Sequence, residues 1–330
     1  MGGGGYADLG YRAPTVEDGN RRTARQAVGA FIFLKSSSCV LVSVVTGASE
    51  GIGRAYAFAL AERGMNVVIM SRTRERLDLV AKEIGEATDQ TVKVITTDFI
   101  NENVFSEIED QLKDLDIGIL VNNVGVLPGV VPSRYLECEN LDQVHDNFFV
   151  LKIKYKVVQL FDATLKVGPW LHFGFVSLSH RGKGLIVNIS SGIATVPFPY
   201  YSLYAASKIF VERVSQGLQA EYKDKGIIIQ AVAPFGVSTR MVSYQKTNIV
   251  TLSAENFVKS SLQYIRAGDR TNGSICHSIL GWILQHIPLK IFYAECVLHS
   301  LQSYIKNQLK KSQPPKSSRS TAALENQTYL

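Results

Sequence analysis

An apolar, β-branched run from Cys39 to Val45 leads without a break into Thr46-Gly47-Ala48-Ser49-Glu50-Gly51-Ile52-Gly53, and then into a helical pattern from Arg54 to Arg63. The run reads as a buried parallel strand. Glycines at 47, 51 and 53 allow a tight turn and bring backbone amides at a helix N-terminus close to an anion. A strand, glycine loop and helix in this order predict an open α/β sheet with its ligand at the carboxyl ends of the strands. The loop reads as a dinucleotide site, with Gly47, Ser49, Gly51, Ile52 and Gly53 against the diphosphate.

The alternation continues. Further strands are expected over Asn66 to Met70, Thr91 to Asp98, Ile117 to Val121, Leu185 to Ser190 and Gly226 to Val232. Between them, Leu77, Val80 and Ile84 mark the core face of a helix from about Arg74 to Ile84, and Val104, Ile108 and Leu112 mark another from Asn103 to Leu115. A helix from Glu255 to Ile265 follows a capping Ser253. The fold class is therefore α/β: a Rossmann-like, doubly wound parallel sheet in a single domain over 39–273, with a C-terminal apolar helical extension.

Composition fits one such core, with 330 residues, 46% hydrophobic and 19% charged. Residues 1–38 open with a glycine run and are expected to be disordered. Residues 274–305 are apolar but interrupted by Gly281 and Pro288, which suits a substrate lid or membrane-surface helices better than a span. The stretch 306–330, with Lys306, Lys310, Lys311, Lys316 and Arg319, reads as a basic flexible tail. The net charge of +6 suits an anionic cofactor or an acidic membrane surface. No nucleic-acid motif accompanies it. Four scattered cysteines make no disulfide framework, and the six histidines lack metal-ligand spacing, so no metal is expected.

Several positions sharpen the cofactor. The second strand ends in Ser71-Arg72, where an acidic residue would receive the ribose of NAD; Arg72, with Arg54 beyond the glycine loop, favours the 2′-phosphate of NADP(H). Asp98 is placed to meet an adenine edge. Asn122-Asn123-Val124-Gly125 suits the floor of the cofactor site, with Asn123 in contact. In Pro234-Phe235-Gly236-Val237-Ser238-Thr239, the residues Pro234, Val237 and Thr239 are placed to clamp a nicotinamide amide.

The chemistry is expected at Tyr204-Ala205-Ala206-Ser207-Lys208. Four residues apart on a helix, Tyr204 and Lys208 share one face. A nearby ammonium favours the phenolate and is expected to lower the tyrosine pKa, making Tyr204 a general acid. Ser191, 13 positions earlier at the end of a strand, is placed to hold a substrate carbonyl.

With the glycine loop, Asn-Asn-x-Gly, serine, Tyr-x-x-x-Lys and Pro-Phe-Gly in this order, the chain resembles the short-chain dehydrogenase/reductase family over about 40–305. Ile117 to Gly125 and Asn188 to Gly192 resemble its steroid and 3-oxoacyl-CoA reductase branch. The resemblance implies that Tyr204 protonates the developing alkoxide, that Lys208 holds the nicotinamide ribose and tunes Tyr204, and that Ser191 binds the carbonyl oxygen. Asn147 would anchor a water relaying protons to Lys208. It further implies NADP(H) as cofactor, a steroid or other lipid carbonyl substrate, association with the endoplasmic reticulum membrane with the site facing the cytosol, and a homodimer.

Two departures stand out. The branch usually carries an apolar N-terminal anchor, where this chain has a glycine-rich segment. Asn147 to Gly184 covers 37 positions where the family has one helix and a short turn, and Leu151 to Val157 alternates with the period of a strand. The segment 148–180 is an atypical insertion, a replaced helix or a product of altered splicing. A displaced helix there would leave a chain that binds cofactor without turning over.

Overall fold

A computed structural model of the chain describes residues 41–99, 104–125, 178 and 182–312. Seven strands of the described residues form one parallel sheet. They are β1 (Val42–Thr46), β2 (Asn66–Ser71), β3 (Val92–Thr96), β4 (Ile117–Asn122), β5 (Gly184–Ile189), β6 (Ile227–Val232) and β9 (Arg270–Thr271), in the order β3-β2-β1-β4-β5-β6-β9. The short strands β7 (Val237–Ser238) and β8 (Leu252–Ser253) pair separately. The expected doubly wound α/β architecture is present.

Burial follows position in the sheet. The interior strands β1, β4 and β5 are buried throughout, which is why they read as continuous apolar runs. At the edge, β3 exposes Lys93 and Thr96, as a strand with one open flank must.

Helices cover both faces. On one lie α1 (Gly51–Ala61), α2 (Arg74–Thr88) and α5 (Ala254–Ser261), burying Tyr56, Leu60, Leu77, Val80, Ile84, Phe257 and Val258 with the sheet. On the other lie α3 (Val104–Leu112) and α4 (Ser202–Glu221); Val104, Ile108 and Leu112 pack there with Leu178. The three apolar positions expected on each of α2 and α3 are the ones buried. The Ser253 hydroxyl accepts a hydrogen bond from the Asn256 amide at 3.1 Å, the cap expected for α5.

The boundaries differ in places. The first helix starts at Gly51 rather than Arg54, because the glycine loop itself supplies its first turn. The C-terminal extension folds as α6 (Ile275–His286), α7 (Leu289–Phe292) and α8 (Glu295–Ser312). Gly281 does not break the helix: it lies buried inside α6, where a side chain would meet Asn272 and Phe235, and the interruption is at Pro288. Among the described residues no helix is long and apolar enough to cross a membrane. The segments 1–38 and 313–330, Asn147, and the alternating run 151–157 lie outside the described residues.

One buried contact locks α1 to α5. The Tyr56 and Ser261 hydroxyls meet at 2.7 Å across 205 residues of sequence, and burial raises the Tyr56 pKa well above the ordinary phenol range. Ser261→Ala strands a buried phenol hydroxyl and is expected to cost about 1–3 kcal/mol. In urea unfolding, Tyr56→Phe combined with Ser261→Ala should recover part of that loss, since both polar partners are then gone.

Candidate active site

The site forms where the sheet reverses its winding. β1 and β4 are neighbours, and the strand order runs outward from them in opposite directions, through β2 and β3 on one side and β5 and β6 on the other, the switch point at whose crevice open α/β sheets bind ligands. The Thr46 hydroxyl, at the end of β1, accepts from the amides of Asn123 at 3.0 Å and Val124 at 3.3 Å. The Asn123 carboxamide in turn donates to the carbonyls of Thr46 at 3.1 Å and Gly47 at 3.2 Å. Asn123, expected against the cofactor, braces the glycine loop with its amide group.

That brace leaves no room for side chains. A Cβ on Gly53 would lie 2.3 Å from the Gly47 carbonyl oxygen, and Gly47 has φ +64°. Glu50 provides no side-chain cap to α1. The amides of its first turn, Gly51 to Gly53, thus face the crevice without a protein carboxylate on them, the donor set a diphosphate takes. Ser49 accepts a hydrogen bond from Ser71 at 3.0 Å, tying the loop to the end of β2. Thr239 closes over the loop from the far side: its methyl would lie 3.0 Å from a Cβ at Gly51. Pro234 and Val237 are buried beneath it.

Tyr204 and Lys208 sit on the buried face of α4. Ser191 begins a 3-10 turn, Gly192–Thr195, and accepts from the Ile193 amide at 3.4 Å. It also hydrogen-bonds the Tyr204 phenol. The Lys208 ammonium donates to the Ile189 carbonyl at 3.1 Å and lies 5.7 Å from the Tyr204 ring centre. Gly125 makes room for it, since a Cβ there would lie 3.0 Å from Nζ. Serine, phenol and amine therefore lie together at one end of the sheet.

The electrostatics run against the expectation for tyrosine. Burial pushes the Tyr204 pKa up to about 12, and the hydrogen bond to Ser191 only partly offsets this. Burial also pulls Lys208 down to about 8. Desolvation penalises both charged forms, and at 5.7 Å from the ring the ammonium does not lower the phenol below its ordinary value. The pair favours a protonated phenol, which is the form a proton donor needs.

The short chain dehydrogenase family model matches residues 41–249. The chain belongs to the short-chain dehydrogenase family. The 17-beta-hydroxysteroid dehydrogenase type 3 of Danio rerio is 48% identical over 265 residues, covering 80% of this chain and 83% of that one. The very-long-chain 3-oxoacyl-CoA reductase of Macaca fascicularis is 38% identical over 250 residues, 76% of each. A solved short-chain dehydrogenase from Sphingobium yanoikuyae, in complex with NADPH, superposes with a TM-score of 0.60 over 84% of this chain and 99% of that one, at 23% identity, and supports the fold. Short-chain dehydrogenases use a nicotinamide dinucleotide, and the enzyme is an oxidoreductase acting on CH-OH and C=O groups.

Not every cation of the dehydrogenase falls where the sequence placed it. Arg54 is turned away from the phosphate region: it pairs with Glu83 at 2.6 Å and lies over the Phe58 ring. Arg72 remains exposed at the end of β2, with no ion pair among the described residues. Asp98 lies in the loop after β3, half-buried.

Three residues escaped the sequence reading. Glu212 is buried on α4, one turn beyond Lys208, and Arg270 of β9 donates to it at 2.8 Å. His277 of α6 is fully buried; its Nδ1 accepts from the Phe235 amide at 3.3 Å, and its Nε2 meets the Val250 carbonyl at 2.9 Å. The carboxylate at one-turn spacing from Lys208 was a usable signal for Glu212. Arg270 lies in a two-residue strand, too short to show any period.

Two outcomes follow. Tyr204→Phe removes the proton donor and should lower turnover about 10²–10⁴-fold, with nucleotide affinity unchanged by fluorescence titration. Lys208 carries its charge below pH about 8 and loses it above, so kcat/KM for the nucleotide, which reports the free enzyme, should fall as pH rises through that value.

Proposed function

We propose that this dehydrogenase is an NADPH-dependent 17-ketosteroid reductase that converts androstenedione to testosterone. The observation that carries this reading is the identity of 48% to a 17-beta-hydroxysteroid dehydrogenase type 3 over four-fifths of the chain, against 38% to the acyl-CoA reductase.

When bound, the nicotinamide supplies a hydride to the carbonyl carbon. The side chains do the rest. Ser191 holds the carbonyl oxygen, and Tyr204 delivers its proton to that oxygen as charge develops there. Lys208 holds the nicotinamide ribose and lends positive charge to the phenolate left on Tyr204. Asn147 is the proposed anchor of the water that returns a proton through Lys208. The first-turn amides of α1 hold the diphosphate, Thr239, Val237 and Pro234 hold the carboxamide, and Asp98 meets the adenine. Arg72 supports NADPH over NADH, because it offers an exposed guanidinium where an acidic residue would be needed for a 2′-hydroxyl.

The reading extends, by likeness to the steroid and 3-oxoacyl-CoA reductase relatives, to association with the endoplasmic reticulum membrane with the site facing the cytosol, and to a homodimer. In support, α6 exposes Ile279, Trp282 and Ile283 together, at 54%, 56% and 43% of their surface. Above the site, α7 sets Phe292 edge-on against Phe198 at 5.0 Å, in the segment that leads from Ser191 to Tyr204, a position suited to a substrate lid.

The second reading, a very-long-chain 3-oxoacyl-CoA reductase, draws on the acyl-CoA relative. Microsomes expressing the chain, given NADPH with androstenedione or a long-chain 3-oxoacyl-CoA, should reduce the steroid, and Tyr204→Phe should not. Reduction of the acyl-CoA alone transfers the protein to the second reading. Cofactor binding without turnover of either points to a chain impaired by its 148–180 segment. Arg72→Asp should weaken NADPH binding by about tenfold or more, equivalent to roughly 1.4 kcal/mol, while NADH binding improves or holds.

A further inference from the structure

An ion pair with a buried carboxylate and a partly buried guanidinium brackets the turn that carries Ser191. Glu212 is 6% exposed and sits two turns beyond Tyr204 on α4. Its Oε1 receives the Ser190 hydroxyl at 2.9 Å, on the residue immediately before Ser191. Its Oε2 receives the Arg270 Nε at 2.8 Å. The other arm of the same guanidinium donates to the Thr195 hydroxyl at 3.1 Å, at the last residue of the turn that Ser191 begins. Both ends of the segment 190–195 are thus tied to one carboxylate–guanidinium pair. That pair is carried on the helix holding Tyr204 and Lys208 and on β9, which is paired with β6. Ser190 has a single proton to give, and the Lys208 carbonyl at 3.0 Å competes for it, but a carboxylate is the stronger acceptor.

We propose that Glu212 and Arg270 are positioning residues for carbonyl reduction, setting the register of the Ser191 hydroxyl against the Tyr204 phenol. Neither touches the reacting atoms. The crevice that holds the nucleotide diphosphate is built at β1 and β4, and the pair lies beyond β5, so the two are separable. Arginine suits the role because its planar fork spans two acceptors at once; lysine reaches only one.

The inference rests on the reductase reading, and its test has a readout independent of turnover. Glu212→Gln removes the negative charge and leaves one acceptor oxygen for the two donors, Ser190 and Arg270, so the link is weakened, and Arg270→Lys keeps the charge while losing Thr195. Each should lower kcat about ten- to hundredfold, with the NADPH dissociation constant within about twofold of the original chain. Hydrogen exchange should quicken at the amides of Gly192, Ile193 and Ala194 and stay unchanged in the loop 46–53. A double variant, Glu212→Met with Arg270→Met, restores apolar packing and should recover the melting temperature but not kcat.

Unchanged kcat and unchanged exchange at 192–194 in folded Arg270→Lys would overturn the proposal, as would full recovery of kcat in the double methionine variant, which would make the pair a packing element only. If the unaltered chain reduces no carbonyl, the reductase reading fails on its own, and exchange at 192–194 still decides whether the pair holds the turn.

Discussion

The close approach of the end of β4 to the glycine loop is the constraint on which the rest of the site depends. Thr46 accepts two amides from the segment after β4, and Asn123 returns two hydrogen bonds to the loop carbonyls. Such contact is open only to a loop without side chains at 47 and 53, where a Cβ would fall within 2.8 Å of a neighbouring atom. The same short segment then continues to Gly125, whose missing side chain admits the Lys208 ammonium. Three consecutive residues therefore brace the loop, shape the crevice floor and receive the Lys208 ammonium. The nucleotide half and the reacting half of the site share one piece of backbone.

Burial sets the chemistry of the reacting half. In water a lysine four residues from a tyrosine would hold its charge and draw the phenol down. Here both groups are nearly enclosed, and desolvation acts on each in the direction of neutrality. Lys208 is not left bare, since the Ile189 carbonyl accepts from it, but a neutral carbonyl compensates an ammonium only in part. The outcome is a phenol that holds its proton until an oxygen with developing negative charge arrives.

Much of this was legible in the sequence, for physical reasons. Buried parallel strands are apolar throughout and short, so β1, β4 and β5 stand out as runs. Helices that cover a sheet bury one stripe, so Leu77, Val80 and Ile84 fall at the right spacing. The juxtaposition of Tyr204 and Lys208 was readable because residues four apart share one face of a helix. What escaped was carried by pairs remote in sequence: Glu212 and Arg270 are 58 residues apart and meet only because β9 adds to the edge of β6. The two-residue strands β7, β8 and β9 are shorter than any period. Arg54 sat beside the loop in sequence, yet a helical residue points where its turn points it, and that is toward Glu83 and Phe58.

The C-terminal helices illustrate how a segment beyond the family-matched span enters the site. His277 of α6 lies outside residues 41–249, yet it holds the Phe235 amide on one ring nitrogen and faces the Val250 carbonyl with the other. Accepting on Nδ1 and donating from Nε2 requires the neutral imidazole with its proton on Nε2, and burial lowers its pKa in that direction. Phe235 in turn covers Gly192, where a Cβ would come within 2.5 Å of the ring, and its far edge meets Gly281 of the same helix. Gly192 is the residue after Ser191, and its amide is held by the Pro234 carbonyl at 2.7 Å. The turn that presents Ser191 is therefore supported from two sides, by the Glu212–Arg270 pair beneath and by Phe235 with α6 above. A helix that reads in sequence as an appendage is, in packing terms, one wall of the catalytic turn.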